Sequence, residues 1–121
     1  MTREGALYKY FSGFGMPAYP SDAVPDVITF PYLTYETTGG NWGDKVSIAV
    51  NLWFHTESET IPNDKTRQIS ADISLGGLIL SYDDGKMWIK RGSPWSISLS
   101  DETDPTIKRR QLTIIIEDWR I

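Results

Sequence analysis

The chain's 121 residues and 13.7 kDa fit one domain, residues 1–121, large enough to bury a core without covalent staples. An apolar share of 40%, with five Trp, six Tyr and four Phe, excludes wholesale disorder, and the absence of Cys excludes disulfides, thiolate nucleophiles and Cys-based metal sites. The single histidine, His55, excludes paired-imidazole metal motifs, and a formal net charge of −4 is a poor start for wrapping nucleic acid.

The opening residues, Met1 to Glu4, are polar and lack the basic-then-apolar order of a signal peptide. No apolar run approaches the ~20 residues of a membrane span. The expectation is a chain made and kept in the cytosol. Within residues 2–15, Leu7, Tyr10, Phe11 and Phe14 repeat at the i, i+3, i+4, i+7 spacing of one helix face. Gly13, Gly15, Pro17 and Pro20 stop that helix. Residues 16–26, with three prolines and two aspartates, read as an ordered loop. Residues 28–37 read as a strand around Phe30, Leu33 and Tyr35, with Pro31 at its start or on a sheet edge.

A glycine-rich turn at 39–43 leads into the clearest alternation in the chain, residues 44–55. Val46, Ile48, Val50, Leu52 and Phe54 share one face; Ser47, Ala49, Asn51, Trp53 and His55 share the other. Residues 58–74 read as a second helix, with Thr60 as N-cap, Pro62 in the first turn and Asp64 complementing the positive helix end. Ile61, Ile69 and Ile73, with Ala71 beside them, form a thin apolar stripe suited to covering a sheet. Gly76 and Gly77 end it.

Asp83-Asp84-Gly85 between residues 78–82 and 86–90 is a strong hairpin signal. Residues 92–105 are polar and read as a long loop carrying Pro94, Trp95 and the acidic run Asp101, Glu102, Asp104. Residues 110–119 close the chain as a strand, with Leu112, Ile114 and Ile116 on one face. The predicted architecture is α+β: one domain, about five mostly antiparallel strands, and two helices packed on one face.

Motifs for chemistry are sparse. His55 sits near Glu57 and Glu59, so a small His55-dependent hydrolase or isomerase is conceivable, yet an exposed strand-end histidine is the simpler account. Gly-x-Ser-x-Gly and Walker-type sequences are absent, and Gly13-Phe14-Gly15 follows a helix rather than a strand. Asp83-Asp84 is what a hairpin turn asks for. Asp101, Glu102 and Asp104 lack the ligand spacing of a calcium loop. The sequence thus names no catalytic, cofactor-binding or metal-binding residue. Lys108, Arg109 and Arg110 form a compact basic cluster, better suited in an acidic chain to a protein partner than to DNA. Trp42, Trp53, Trp88, Trp95 and Trp119 exceed what a core of this size takes easily, and Trp and Arg are enriched at interface centres. Assembly is the expectation, rather than catalysis.

Several stretches carry a resemblance. They are Tyr8-Lys9-Tyr10-Phe11-Ser12-Gly13-Phe14-Gly15-Met16-Pro17-Ala18-Tyr19, Phe30-Pro31-Tyr32-Leu33-Thr34-Tyr35, the 39–54 stretch, Trp88-Ile89-Lys90-Arg91-Gly92-Ser93-Pro94-Trp95, and Asp104-Pro105-Thr106-Ile107-Lys108-Arg109-Arg110. In that order, over nearly the whole chain, they resemble the tail terminator, or tail completion, proteins of long-tailed bacteriophages and prophages. The resemblance implies an α+β subunit of a hexameric ring in the virion, at the head–tail junction, made in the host's cytoplasm. Such a ring stops polymerisation of the tail tube protein and docks the tail to the head-completion or connector protein. It implies no catalytic residues, no cofactor and no membrane. DNA would pass through the ring without sequence-specific binding, and a negative lumen would repel rather than trap it. A minor capsid or neck protein of the same virion is the alternative within the structural class.

The residues expected to join subunits or partners follow from these readings. The 92–105 loop, anchored by Trp95 and carrying Asp101, Glu102 and Asp104, would reach over a neighbour. Lys108, Arg109 and Arg110 would meet carboxylates there or on the tube, with Trp42 and Trp53 as further contacts.

Overall fold

The computed structural model describes residues 1–120. Helix α1 (Arg3–Phe11) starts where the Thr2 hydroxyl accepts from the Gly5 amide at 3.0 Å, a side-chain N-cap. A 3₁₀ turn over Ser12–Phe14 extends it, and Gly15 at φ +78° turns the chain away. The predicted stripe is real. Leu7, Phe11 and Phe14 are buried, with Tyr10 packed edge-on against Phe14 at 5.3 Å between ring centres.

One sheet of six strands, in the order β1-β2-β3-β6-β5-β4, forms the rest of the frame: β1 (Ala18–Pro20), β2 (Tyr32–Tyr35), β3 (Lys45–His55), β4 (Leu78–Tyr82), β5 (Gly85–Ser100) and β6 (Ile107–Arg120). All neighbours are antiparallel except β1 and β2, which run parallel. Helix α2 (Thr60–Ile73) connects β3 to β4. It packs on β5 and β6, whereas α1 touches both end strands, β1 and β4, so the sheet curls around α1. Both helices lie on one face, and the molecule is an α+β domain.

Several expectations need correction. The strands number six, because residues 18–20 of the predicted loop pair with β2; three residues between prolines carry no periodic signal. The strand predicted over 28–37 is ordered into the sheet only at Tyr32–Tyr35. Residues 92–100 are no loop. They continue β5 along β6, with the ladder interrupted between Arg91 and Ser96, where Pro94 has no amide to give. Gly92 makes the crossing possible, since a Cβ there would stand 2.5 Å from the Thr113 side chain. Finally, Thr60 is the first helical residue of α2 rather than its cap, and Ser58 Oγ accepts from its amide at 3.1 Å. Asp64 lies beyond the first turn and pairs with Arg67 at 3.3 Å.

The core lies between the helices and the inner face of the sheet. Ile48, Val50, Leu52 and Phe54 of β3 alternate inward opposite Ile114, Leu112, Arg110 and Lys108 of β6. Leu33 and Tyr35 of β2 and Met87 and Ile89 of β5 extend that layer. Above it, α2 inserts Pro62, Thr66, Ile69 and Ile73. Ile61, expected in this stripe, is 54% exposed, because eight residues of α-helix rotate it about 80° away from Ile69. Leu112→Ala should therefore lose about 2–5 kcal/mol in urea denaturation, as fully buried core leucines do. Ile61→Ala should stay within about 0.5 kcal/mol of the parent in the same assay.

Candidate functional site

Two helices leave the outer face of the sheet bare. On it, side chains of alternate residues of β3, β6 and β5 stand without a covering layer. At the β4 end this face is apolar and open. Ile79, Trp88, Trp119 and the stem of Lys86 enclose a cleft of about 280 Å³. Ile79 is 62% and Trp119 50% exposed. The Trp88 indole donates to the Gly76 carbonyl at 2.9 Å, and the Lys90 ammonium sits 4.0 Å from its ring centre. That fixes the indole while leaving its far side to solvent. Trp42 is also exposed, with the Arg120 guanidinium 6.0 Å from its ring.

At the other end the aromatic residues are already used. Tyr32 stacks on Trp53 at 5.9 Å and 8°, and the Arg109 guanidinium covers Trp53 at 5.1 Å. The Trp53 indole donates to Thr34 Oγ1 at 3.1 Å. Trp53 is thus half-buried and sandwiched between Tyr32 and Arg109. Between the two ends Glu117, buried, takes the Lys90 ammonium at 2.8 Å, with Lys45 at 3.8 Å. The hydrogen bond from Lys90 holds its carboxyl below the usual carboxylate range.

The basic cluster divides by strand alternation. Arg109 points outward to Trp53, whereas Lys108 and Arg110 point inward, toward α2. Their charges were expected to meet a neighbour's carboxylates. They meet the chain's own Glu59, just ahead of α2: Lys108 Nζ lies 3.0 Å from Oε1 and an Arg110 nitrogen 2.5 Å from Oε2. Asn63 Oδ1 accepts a further bond from Arg110 at 3.1 Å. A buried cation without such partners would be strongly destabilising, so the cluster is fixed within the fold.

The acidic run builds a turn. Asp101 Oδ1 accepts from the Thr103 hydroxyl (2.6 Å) and amide (2.8 Å), and Asp104 Oδ1 accepts likewise from Thr106 (2.6 and 3.0 Å). These bonds lower both carboxyls' affinity for protons. Glu102 is exposed at the tip. His55 Nε2 lies 3.9 Å from Asp104 Oδ2, beyond hydrogen-bond range, and its ring packs against Phe30 at 5.7 Å. Among the described residues no three His, Asp or Glu side chains converge as a metal-ligand set. Among the described residues no helix is long and apolar enough to cross a membrane.

Trp95, expected to anchor a reaching loop, sits half-buried on the inner face against the core, beside α2. The structure brings Trp53, Arg109 and Asp101 of the acidic turn around one small cleft, and sets Trp42 and Trp95 apart from them. The residues expected as contacts left out Ile79, Trp88 and Trp119, although both tryptophans were counted as surplus to the core. Counting tryptophans pointed to surplus apolar surface, but which of them face outward depends on register. Compared with family models, curated proteins and solved structures, the chain matches none.

The Glu59 cluster has a pH signature. Hydrogen bonds from Lys108 and then Arg110 hold the Glu59 carboxyl below its ordinary value of 4.5. A group whose folded pKa is lowered adds stability above its unfolded pKa and loses it as pH falls through the folded one. Urea midpoints measured from about pH 6 down to about pH 3 should therefore fall less steeply for Glu59→Gln than for the parent, from a lower starting stability.

Proposed function

We propose that the chain is a ring-forming structural subunit of a long-tailed phage particle, a tail terminator that ends tail-tube growth and joins the tail to the head. The observation that carries this reading is the bare outer face of the sheet, with Ile79, Trp88 and Trp119 exposed together at one end. Contiguous exposed apolar surface of this kind marks a place of association. The resemblance of nearly the whole chain to tail terminators supplies the kind of assembly. The inward cations, the turn-building aspartates and the sandwiched Trp53 are committed to the fold, which fits a scaffold more than a reaction centre. The formal charge of −4 per chain suits a ring through which DNA passes without being held.

Light scattering over a concentration series should give the mass of six chains, and the purified protein should halt elongation of tail tubes growing in vitro. A chain that leaves tube growth unchanged defeats the proposal. Trp119→Ala should raise the concentration for half-assembly by about tenfold or more, the effect of losing an interface anchor, with an unchanged urea midpoint.

A further inference from the structure

The two ends of the sheet are finished differently. At β1, Pro20 has no amide to offer and its carbonyl accepts from the Ala23 amide, so this edge is blunted. At β4 the edge is open. The register pairs Tyr82 with Gly85 across the Asp83-Asp84 turn, so the main-chain groups of Tyr82, Leu80 and Leu78 face β5. Those of Asp83, Ser81 and Ile79 face outward. The Asp83 amide is taken by the Met1 carbonyl at 2.8 Å, whereas Ile79 and Ser81 have no protein partner among the described residues. Beside this edge runs a groove of about 500 Å³, walled on the α1 side by Ala6, Tyr10 and Phe14.

The complement to this edge lies on the same chain, past its other end. After β1 the chain runs as an arm, residues 21–29, exposed except for the half-buried Ile28, before it enters β2. Ser21 and Ala23 amides are bonded, but no main-chain group of residues 24–31 has a protein partner among the described residues. The arm is neither glycine-rich nor strongly charged. It holds Val24, Val27, Ile28 and Thr29, residues that favour strands, and Val27 is 86% exposed. Within one molecule α1 packs against both β1 and β4, the two end strands of the sheet.

We propose that the arm of one copy adds to β4 of the next copy as an antiparallel strand. Asp26 lies opposite Ser81, Val27 opposite Leu80 and Ile28 opposite Ile79. The outward donors and acceptors of Ile79 and Ser81 are then satisfied, and Pro25 faces solvent, where no amide is needed. Val27 enters the groove beside α1, and Ile28 covers Ile79 on the outer face. Because arm and edge are different surfaces, the contact is head-to-tail, the kind that closes into rings. The inference rests on the ring reading and gives it a joint.

The chain has no cysteine, so an engineered pair reports without background. Val27→Cys combined with Leu80→Cys places two thiols at a pair of facing positions, where a disulfide fits. Under mild oxidation, a non-reducing gel should show a ladder of covalent multimers that collapses with reductant. A mixture of the two single variants should stop at dimers. Ser81→Pro, which deletes one outward amide on an edge, should abolish the ladder, and on the native background it should reduce the light-scattering mass to one chain while the urea midpoint holds. An oligomer of unchanged mass that gives no ladder, or a ladder indifferent to Ser81→Pro, overturns the joint and leaves the ring reading standing. A ladder formed by protein that fails to halt tube growth keeps the joint and removes the tail role. A monomer without crosslinks at every concentration overturns the joint.

Discussion

Two short helices cannot cover both faces of a six-stranded sheet, and most of what is unusual here follows from that constraint. Helix α1 has nine residues and α2 fourteen, about 14 and 21 Å of helix respectively. Placed on one face, with α1 nested in the curl, they seal a single core of Leu, Ile, Val and Phe. The outer face must then be handled by its own side chains. At the β2 end this is done by the Arg109–Trp53–Tyr32 stack, which turns three large groups into one closed surface. Toward the middle it is done by Glu117 with Lys90 and Lys45. At the β4 end nothing equivalent is present among the described residues, and Ile79, Trp88 and Trp119 remain exposed.

Strand β6 decides which residues can serve the surface at all. It pairs with β3 over eleven residues and with β5 on its other side, so its in–out alternation cannot slip without inverting the core. That fixed register sends Lys108 and Arg110 inward with the aliphatic row and Arg109 outward. Three adjacent basic residues therefore have two unrelated jobs. The inward pair gives Glu59 a reason to stand at the start of α2, tying the helix to the sheet across a sequence separation of 51 residues. Such a tie orients the helix more than it stabilises the fold, since desolvation offsets much of the attraction.

Much of this was legible in the sequence where a period was clean. The β3 alternation, the Asp-Asp-Gly hairpin, the α1 stripe and the α+β class all appear as read. What failed did so for lack of a local signal. The second half of β5 is written Ser96-Ile97-Ser98-Leu99-Ser100 after a proline, and its serines read as loop; it is a strand because β6 supplies the ladder. The three residues of β1 have no period to show. Ile61 was misplaced by treating any isoleucine in α2 as stripe. At the surface, the number of tryptophans signalled excess apolar area, but their directions are set by a register that only strand pairing reveals. Glu59 as the partner of Lys108 and Arg110 was invisible for the same reason: no spacing rule links residues across an intervening helix and two strands.

A chain with such a face and such an edge is exposed to indiscriminate self-association unless something limits it. Charge spacing supplies that limit. Lys86, Lys90 and Arg109 interrupt the apolar residues of the outer face, so that no strand presents a continuous hydrophobic ladder. The net negative charge adds a weak repulsion between copies that salt screens within about 10 Å at 0.1 M. Repulsion of that range opposes random collision at every orientation alike, whereas burial of Ile79, Trp88 and Trp119 is gained only in register. The same composition thus disfavours loose aggregation, and it rewards burial of the apolar end only against a surface that matches it.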